Sequence, residues 1–466
     1  MASAWADAEL NQPILPGAAL RTDAGARSEI GIGANTVYLS GSTEIEIASL
    51  RDGLTQILLS RGRIGFRLRQ ADKNDSVEID LPQGGVWLSA PGSYDIEAGD
   101  GERQLRIAVF AGRAHFAGAG EDRQMESGQV TAVSDSTPAN AAVTEPAAAD
   151  AFVMWSRDRD YDESQLAAPY FVSRDMTGYA ALDSAGVWKI NAQYGPVWFP
   201  TASAEWSPYR VGHWSWIAPW GWTWIDDRPW AFAPSHYGRW AMIDEHWAWV
   251  PGGYVPHPVY APAVVAFLGT PGVGLSSEDG ATVAWFPLAP GEAYLPSYTR
   301  DLDYIRNLNF GAVPDVAEVA TQADRESALE MFHEDFANRL AATVVPRSVF
   351  VNGRAVAPAR VSLPEKRLQD APVLMASPQI GPPNTTTRVA RATATAPPAV
   401  HVTVRLARKR DTKSGRVASI QSRDRAQPVI LRGAHLHAPS YAGQLRGRQI
   451  IVVRVAHFRG GSGKKG

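Results

Sequence analysis

Only a few side chains of this 466-residue sequence combine a reactive type with a suggestive spacing. Asp226 with Asp227, and Asp244 with Glu245, could supply the two carboxylates that a glycosidase uses as acid and base. Both pairs fall where tight turns are expected, so the sequence favours turn residues over a catalytic pair. Because the chain also has no G-x-S-x-G, H-E-x-x-H or phosphate-loop motif, we predict that the protein is not an enzyme.

Four histidines raise the question of a zinc site, whose catalytic forms often use three histidines. They are His213, His236, His246 and His257. No regular spacing relates them, which favours surface or hydrogen-bonded histidines over metal ligands.

A second metal hypothesis rests on a short acidic segment, which contains Asp158, Asp160, Asp162 and Glu163. A calcium loop of the EF-hand type needs a glycine after the third acid and a glutamate further along, and this segment provides neither. The pattern favours a helix start or a surface loop. The sequence therefore predicts no metal and no cofactor.

Tryptophan is concentrated in one region, because twelve of the 16 lie between Trp188 and Trp249. Trp188, Trp214 and Trp240 stand 26 residues apart, and each begins a stretch that ends on another tryptophan, at positions 198, 224 and 249. A fixed period of this size indicates one small supersecondary unit copied along the chain. Turn positions within each copy predict three β-hairpins, which should share one aromatic core since a lone hairpin is marginal in water.

These rings have two interpretations. Flat apolar rings with an N–H donor suit a ligand such as a glycan, whereas the same rings could simply fill the core. The sequence favours the core, but twelve tryptophans exceed what so small a sheet can bury, so some should be exposed. The ligand platform is predicted at Trp214, Trp216, Trp220, Trp222, Trp224, Tyr237, Trp240, Trp247 and Trp249.

Residues 17–132 alternate polar and apolar side chains in short segments, as in SEIGI, EIEI, RIGFRLR, VEID, YDIE and LRIAVF. This period of two is typical of strands with one buried and one exposed face, and the Gly and Pro-Gly breaks between them indicate tight turns. We predict a mainly β protein that begins with a β-roll or sandwich. Arg61, Arg63, Arg67 and Arg69 share one strand face, for which the sequence favours a solvated stripe over an anion site.

The order GAALRTDAGARSEIGI, VYLSGSTEIEI, TQILLSRGRIGFRLR, VEIDLP and APGSYDIE resembles the FecR-like domain, a periplasmic β-domain of bacterial iron-uptake regulators and other exported proteins. The resemblance covers about 115 residues and implies export. Such domains usually follow a signal peptide, which MASAWADAEL does not supply, and have a strand ahead of the region of Trp5. We therefore expect that the chain begins inside this domain.

The tryptophan region resembles a tryptophan-, tyrosine- and glycine-rich domain of unknown function that follows FecR-like domains in exported proteins. The resemblance rests on MTGYAALDSAGVWKI, YGPVWFP, SPYRVGHWSWIAPWGWTWIDDRPWAFAPSHYGRWAMIDEHWAWVPG, PVYAPAVVAFLG and WFPLAPGEAYLPSY. It covers residues 152–309 and continues into TVVPRSVFVNGRAV. The resemblance implies export but no activity and no functional residue.

The charge of the chain is divided unevenly. From Asn338 onward 23 Lys and Arg face 4 Asp and Glu, a balance of +19, against −22 for the first 337 residues. The basic part is rich in proline and alanine, a composition that favours disorder, although IIVVRVAHF from Ile450 could form a strand. With few aromatics, its predicted partners are anionic lipids or polymers of the envelope rather than nucleic acid.

The sequence predicts five consecutive segments. Residues 1–133 form the FecR-like β-domain, 134–150 an alanine-rich linker, 151–320 the tryptophan-rich hairpin domain, 321–345 an amphipathic helix, and 346–466 a mostly disordered basic tail. The absence of cysteine excludes disulfides and thiolate chemistry, and no apolar run is long enough for a membrane-spanning helix.

We predict a non-enzymatic protein of the periplasm or cell envelope that binds or scaffolds, with an envelope polysaccharide as the expected ligand. Two alternatives stay open. One is a FecR-like regulator that relays a signal to a membrane partner, and the other is a cell-wall polymer hydrolase.

Overall fold

The fold is mainly β, as the alternating patterns predict. The computed structural model describes residues 6–51, 53–70, 75–99, 104–118, 120–133, 149–270, 274–277, 280–314, 316, 336–375, 378, 380–381, 402–406 and 451–455. Within these ranges no helix is both long and apolar enough to cross a membrane.

The first domain is built from short strands, including all six that the sequence predicts. The strands are β1 Ala6–Asp7, β2 Pro13–Ile14, β3 Ala18–Thr22, β4 Ser28–Ile32, β5 Asn35–Leu39, β6 Glu44–Arg51, β7 Leu54–Leu68, β8 Ser76–Leu81, β9 Gly84–Leu88, β10 Gly92–Ala98, β11 Leu105–Ala111, β12 Arg113–Gly118, β13 Glu121–Glu126 and β14 Val130–Val133. Their apolar faces form one core with residues such as Leu20, Ile45, Ile57, Phe66 and Ile96.

The long strand β7 belongs to two sheets. Its first half pairs antiparallel with β6 and parallel with β8, and its second half pairs antiparallel with β5 and β10. Gly62 separates the halves with a φ of 83°, and a Cβ atom there would lie 2.5 Å from the backbone of Thr43. Only glycine fits such a position without strain, so this residue lets one strand serve both layers.

Two strands from the C-terminal part of the chain complete these sheets. Strand β26, Val402–Leu406, pairs antiparallel with β1 and β3, and strand β27, Ile451–Val455, pairs antiparallel with β2 and β4. Strand β27 agrees with the strand predicted from Ile450. The rest of the predicted disordered tail beyond Gly381 lies outside the described residues.

The helices are short. They are α1 Ala151–Ser164, α2 Phe232–His236, α3 Leu302–Asn309, α4 Arg347–Val351 and α5 Glu365–Asp370, with 3-10 turns at Ala168–Tyr170, Tyr179–Ala181, Arg339–Ala341 and Ala357–Ala359. Helix α1 begins after the linker because the Asp150 carboxylate accepts hydrogen bonds from the Phe152 and Val153 amides, both at 3.0 Å, which is the usual role of an N-cap aspartate.

The second domain contains the three predicted hairpins. They are β15 Gly186–Asn191 with β16 Gly195–Pro200, β17 Gly212–Ile217 with β18 Gly221–Asp226, and β19 Arg239–Ile243 with β20 His246–Val250. In each hairpin the opening and closing tryptophans are direct cross-strand partners. The first and third hairpins join edge to edge where Trp198 faces Trp249, while the second forms its own two-stranded sheet. All three share one aromatic core, as predicted.

A further sheet corrects the predicted domain boundary. Its strands are β21 Val265–Leu268, β22 Leu275–Ser277, β23 Gly280–Pro287, β24 Thr343–Pro346 and β25 Val373–Leu374. Residues 346–375 are therefore folded rather than part of a disordered tail. Their composition is rich in proline and arginine, but Val349, Phe350 and Val356 are buried in the aromatic core, which offsets the ordering cost.

Residues 321–335 of the predicted amphipathic helix at 321–345 lie outside the described residues. The predicted C-terminal end of this helix is wrong: Arg339–Ala341 form a 3-10 turn and Thr343–Pro346 form β24. The side chain of Asn338 explains the break, since its Nδ2 donates to the carbonyls of Trp240 and Pro287 and fixes the chain against the sheet.

Candidate functional site

The core of the second domain is a set of indole rings in edge contact. The Trp214 ring lies 5.5 Å from Trp224 and 5.4 Å from Trp285 between centroids, both in T-shaped geometry. Trp206 contacts Trp230 and Trp240 in the same way. Such pairs contribute about 0.5–1.5 kcal/mol beyond their buried area, so the repeat provides a dense and specific core.

Most of these indoles are held by hydrogen bonds from Nε1 to neighbouring loops. Trp198 donates to the Leu182 carbonyl, Trp240 to Pro234 and Trp249 to Tyr237, all at 2.9–3.0 Å. Trp222 donates to Ile380 at 2.9 Å, and Trp224 donates to the Asp226 carboxylate at 3.0 Å. Each ring therefore has a fixed orientation and not only an apolar contact.

The nine residues of the predicted ligand platform differ in their exposure to solvent. Seven are buried, namely Trp214, Trp222, Trp224, Tyr237, Trp240, Trp247 and Trp249. Trp216 is 40% exposed and Trp220 is half-buried. A continuous surface platform is therefore not formed, and a ligand can meet only Trp216, Trp220 or a ring that lines a cavity. Ligand binding by these residues stays a prediction.

Three of the nine predicted platform residues, Trp214, Trp220 and Trp222, line one cavity, which we name the tryptophan cavity. Its volume is about 310 Å³ when the mouth is included. About 20 Å³ of this volume admits the centre of a water molecule, which is enough space for one water molecule. Its lining comprises Trp214, Trp220, Trp222, Pro262, Ala263, Val265, Phe267, Tyr294, Ser297, Tyr298 and Met375. Trp220, Ser297 and Tyr298 are the wall residues that reach solvent.

One buried donor in the wall of this cavity, Nε1 of Trp214, has no acceptor among the described residues. The hydroxyl of Tyr298, also in this wall, is hydrogen-bonded with the hydroxyls of Tyr304 and Tyr294. Burial raises the pKa of Tyr298 well above its ordinary value, so the phenol stays a neutral donor. The Tyr298 ring lies 6.1 Å from that of Tyr304, whose own hydroxyl donates to the Tyr260 carbonyl at 2.8 Å. The unmade hydrogen bond of Trp214 Nε1 costs about 1–3 kcal/mol, so an oxygen acceptor placed beside that atom is stabilised.

Tyr298 was not among the predicted site residues. It belongs to the segment WFPLAPGEAYLPSY, which carried part of the family resemblance, but no spacing in the sequence relates it to the tryptophan repeat. Its position becomes meaningful only because the segment after β23 folds back beside β17 and β18.

The acids considered for hydrolysis lie in two different settings. Asp226 is buried, where its carboxylate accepts from Trp224 Nε1 and from the amide of Arg228 at 3.0 Å each, and burial raises its pKa to about 7. Asp244 and Glu245 form the exposed turn between β19 and β20, with φ of 49° and 64°. The turn prediction therefore holds for Asp244 and Glu245, whereas Asp226 is the last residue of β18 and supports the core.

The four histidines have four separate environments. His213 Nε2 contacts the Glu9 carboxylate at 3.2 Å, and His257 Nδ1 contacts Asp175 at 2.6 Å. His236 is buried against the Ala261 carbonyl, and burial lowers its pKa to about 3. His246 lies at a turn. Within the described ranges no three His, Asp or Glu side chains are grouped to hold a metal.

Two arginines of the predicted basic stripe, Arg67 and Arg69, pair with the acidic segment. Arg69 Nη2 contacts the Asp160 carboxylate at 2.7 Å and also contacts Glu163, while Tyr38 donates to Asp160 at 3.0 Å. Arg159 Nη2 contacts Glu29 at 2.7 Å. The four acids are therefore neither a calcium loop nor a helix start, because they occupy the second half of α1, where Asp160 and Glu163 dock the helix on the first domain.

Three comparisons with known proteins complete the description of the site. A family model described as "Family of unknown function (DUF6600)" matches residues 179–292, which include all three hairpins. No curated protein matches the chain. No FecR family model matches the first domain, so that resemblance stays a prediction.

The chain is also similar to two crystal structures of a proposed anti-sigma factor from Parabacteroides distasonis ATCC 8503. The sequence identities are 12% and 14%, and the TM-score is 0.24 in both cases. Each match covers 28% of this chain and 58% of the other. The chain thus spans little more than half the length of these solved proteins.

Proposed function

We propose that this chain is a non-enzymatic binding and scaffolding protein of the cell envelope that holds an oxygen-rich polymer, such as a glycan, at the tryptophan cavity. The observation that carries the proposal is the buried donor Trp214 Nε1 in the cavity wall, which has no acceptor among the described residues. Sugar hydroxyl and carbonyl oxygens are acceptors of the required type.

The dimensions of the cavity limit how such a ligand would bind. Only about 20 Å³ of the interior admits the centre of a water molecule, so one hydroxyl or carbonyl group can enter while the rest of the ligand stays outside. The half-buried Trp220 ring at the mouth offers a flat apolar surface for that remainder. The alternative occupant is one ordered water molecule that accepts from Trp214 Nε1.

Support for a scaffolding role comes from the contact between the domains. Helix α1 links them, and its acids bind the arginines of β7, while Asn11 of the first domain donates to the carbonyls of Asp226 and Arg228 at 2.8 and 2.7 Å. A pair of domains fixed at two places can present a ligand surface in a constant orientation. The envelope location is inferred from the resemblance to exported proteins.

A binding experiment tests the proposal. Intrinsic tryptophan fluorescence and calorimetry would be followed during titration with peptidoglycan fragments and envelope polysaccharides. We expect Trp214→Phe, which keeps an aromatic ring but removes the Nε1 donor, to weaken binding about fivefold, the effect of one neutral hydrogen bond. Trp220→Ala should weaken it about tenfold because it removes the apolar contact.

The matched control is Trp216→Ala, since Trp216 lies on the same hairpin, is exposed and does not line the cavity. Its affinity should stay within twofold of the original protein. Absence of binding to every polymer, or equal losses in the Trp216 and Trp220 variants, overturns the glycan proposal. Fractionation that places the tagged protein in the cytoplasm overturns the envelope location.

A further inference from the structure

A second cavity lies beneath the loop of residues 251–261, and we name it the proline-loop cavity. The loop has no regular secondary structure but is fixed by several contacts. Among them, His257 Nδ1 contacts Asp175 at 2.6 Å, and Ser173 donates to the Pro256 carbonyl at 2.5 Å. The cavity encloses about 580 Å³ counting its mouth, and about 40 Å³ of its interior admits the centre of a water molecule. The interior can therefore receive one small polar group such as a carboxylate, while the rest of a ligand stays at the mouth.

The walls of the cavity are mostly apolar, with Phe171, Val172, Met176, Pro258, Val264 and Leu308 among the lining residues. Two aromatic side chains stand at its mouth: Tyr254 is 60% exposed and Phe310 is 55% exposed. Isolated exposed apolar residues are ordinary, but these two line the same opening. The arrangement offers contacts to an apolar or aromatic ligand body.

The lining of the proline-loop cavity also includes a charged side chain. Arg239 lines it, and no aspartate or glutamate does. His236, the other basic residue of the lining, is neutral at physiological pH because burial lowers its pKa to about 3. Although burial also lowers the pKa of Arg239, the value of about 10 keeps the guanidinium charged. The lining therefore carries a single positive charge.

The guanidinium of Arg239 is buried and is bonded only to neutral acceptors. Nε donates to the Glu292 carbonyl at 2.9 Å, Nη1 to the Gly238 carbonyl at 2.8 Å, and Nη2 to Asn309 Oδ1 at 2.8 Å. No carboxylate of the described residues forms an ion pair with it. The nearby Glu292 carboxylate instead accepts from the amides of Ala289 and Ala337.

A buried cation without a contacting anion is a costly arrangement. Three of the five N–H bonds of Arg239 are used by the neutral acceptors, so two remain available. An anion that enters the cavity would meet an apolar environment of low dielectric constant, in which its attraction to the guanidinium is stronger than in water.

We propose that the proline-loop cavity binds a small carboxylate with an apolar or aromatic body, with the carboxylate directed toward Arg239 and the body between Tyr254 and Phe310. This site is separate from the tryptophan cavity and does not depend on the glycan proposal. Specificity for an acid over its neutral analogue follows from the single positive charge, and affinity for the body follows from the aromatic side chains at the mouth.

The test compares 4-phenylbutyrate with 4-phenylbutanamide, which have the same apolar body and differ in charge. Binding to the full chain at pH 7 would be measured by calorimetry and by NMR line broadening of the probes. We expect the acid to bind at least tenfold more tightly than the amide. Arg239→Met should make the two affinities equal, provided that circular dichroism shows a folded protein.

Because Arg239 also supports the fold, variants at the mouth provide an independent test. The double variant Tyr254→Ala with Phe310→Ala should weaken both probes at least fivefold and preserve their ratio. Tyr170→Ala is the control, since Tyr170 is exposed but does not line the cavity. Equal binding of acid and amide to the original protein, or unchanged affinity in the double variant, overturns the proposal.

Discussion

The Nη2 atom of Arg69 lies 2.7 Å from Oδ1 of Asp160, and this contact docks helix α1 on strand β7. Burial raises the pKa of the Asp160 carboxyl despite the neighbouring arginine, whereas the pKa of Arg69 is raised by Glu163 and Asp160 although burial opposes the shift. For both groups burial disfavours the charged form, so both charges are partly removed from water. Loss of either partner would leave the other poorly solvated.

The first prediction concerns this contact. We expect Arg69→Met and Asp160→Asn each to lower the free energy of unfolding by about 1–3 kcal/mol, less than for a fully buried pair because both groups retain some solvent contact. A double-mutant cycle in urea should give a coupling energy of about 1–2 kcal/mol.

Arg61 provides the control, because it lies on the same strand and pairs with Glu44 at 3.6 Å but is largely exposed. Arg61→Ala should change the free energy of unfolding by less than about 0.5 kcal/mol. A coupling energy near zero for Arg69 and Asp160 would show that this ion pair does not hold α1 on β7.

Sequence reasoning identified both partners of this contact but could not join them. The basic stripe follows from the two-residue period of a strand, and the acidic segment is visible in the sequence. They are separated by 91 residues, and charge alone does not specify which surface an acid meets. From the sequence alone, the arginines were therefore interpreted as a solvated stripe and the acids as a helix start or a surface loop.

The tryptophan spacing was more informative, because direct cross-strand partners such as Trp214 and Trp224 must lie at equal distances from a hairpin turn. The exposure of each ring was not predictable. Trp214 and Trp216 share a strand face, yet Trp214 is covered by Trp285 and Phe350, which come from distant parts of the chain.

The second prediction tests that difference in exposure. Trp224→Phe removes a buried indole and its hydrogen bond to Asp226, so the free energy of unfolding should fall by about 2–4 kcal/mol. Trp216→Phe at the exposed position should change it by less than about 0.5 kcal/mol. Urea denaturation followed by circular dichroism measures both, and similar losses would contradict the assignment of Trp216 to the surface.

The third prediction concerns pH. Burial raises the pKa of Asp226 to about 7, against about 3.9 in an unfolded chain. Between these values the folded protein holds a proton that the unfolded chain has released, so stability falls as the pH rises from about 4 to about 7. We expect Asp226→Asn to flatten this part of the profile, measured by urea denaturation from pH 4.5 to 8.

His213 must be separated from this effect. Although burial opposes the charge, the hydrogen bond to Glu9 raises the pKa of His213. Its contribution is present at low pH and is lost as the pH rises through the folded-state pKa, which is the same direction as for Asp226. His213→Gln should therefore remove only part of the slope, and an unchanged slope in Asp226→Asn would contradict the assignment to Asp226.

The fourth prediction concerns the segment that the sequence assigned to a disordered tail. Phe350 of α4 is fully buried, and its ring centroid lies 4.5 Å from Trp222 and 5.3 Å from Trp214. Phe350→Ala should lower the free energy of unfolding of the second domain by about 3–5 kcal/mol, as for other large buried aromatics. Arg354→Ala, three residues beyond α4 and exposed, is the control and should have little effect. If both variants unfold at the same urea concentration as the original protein, residues 347–351 do not belong to the aromatic core.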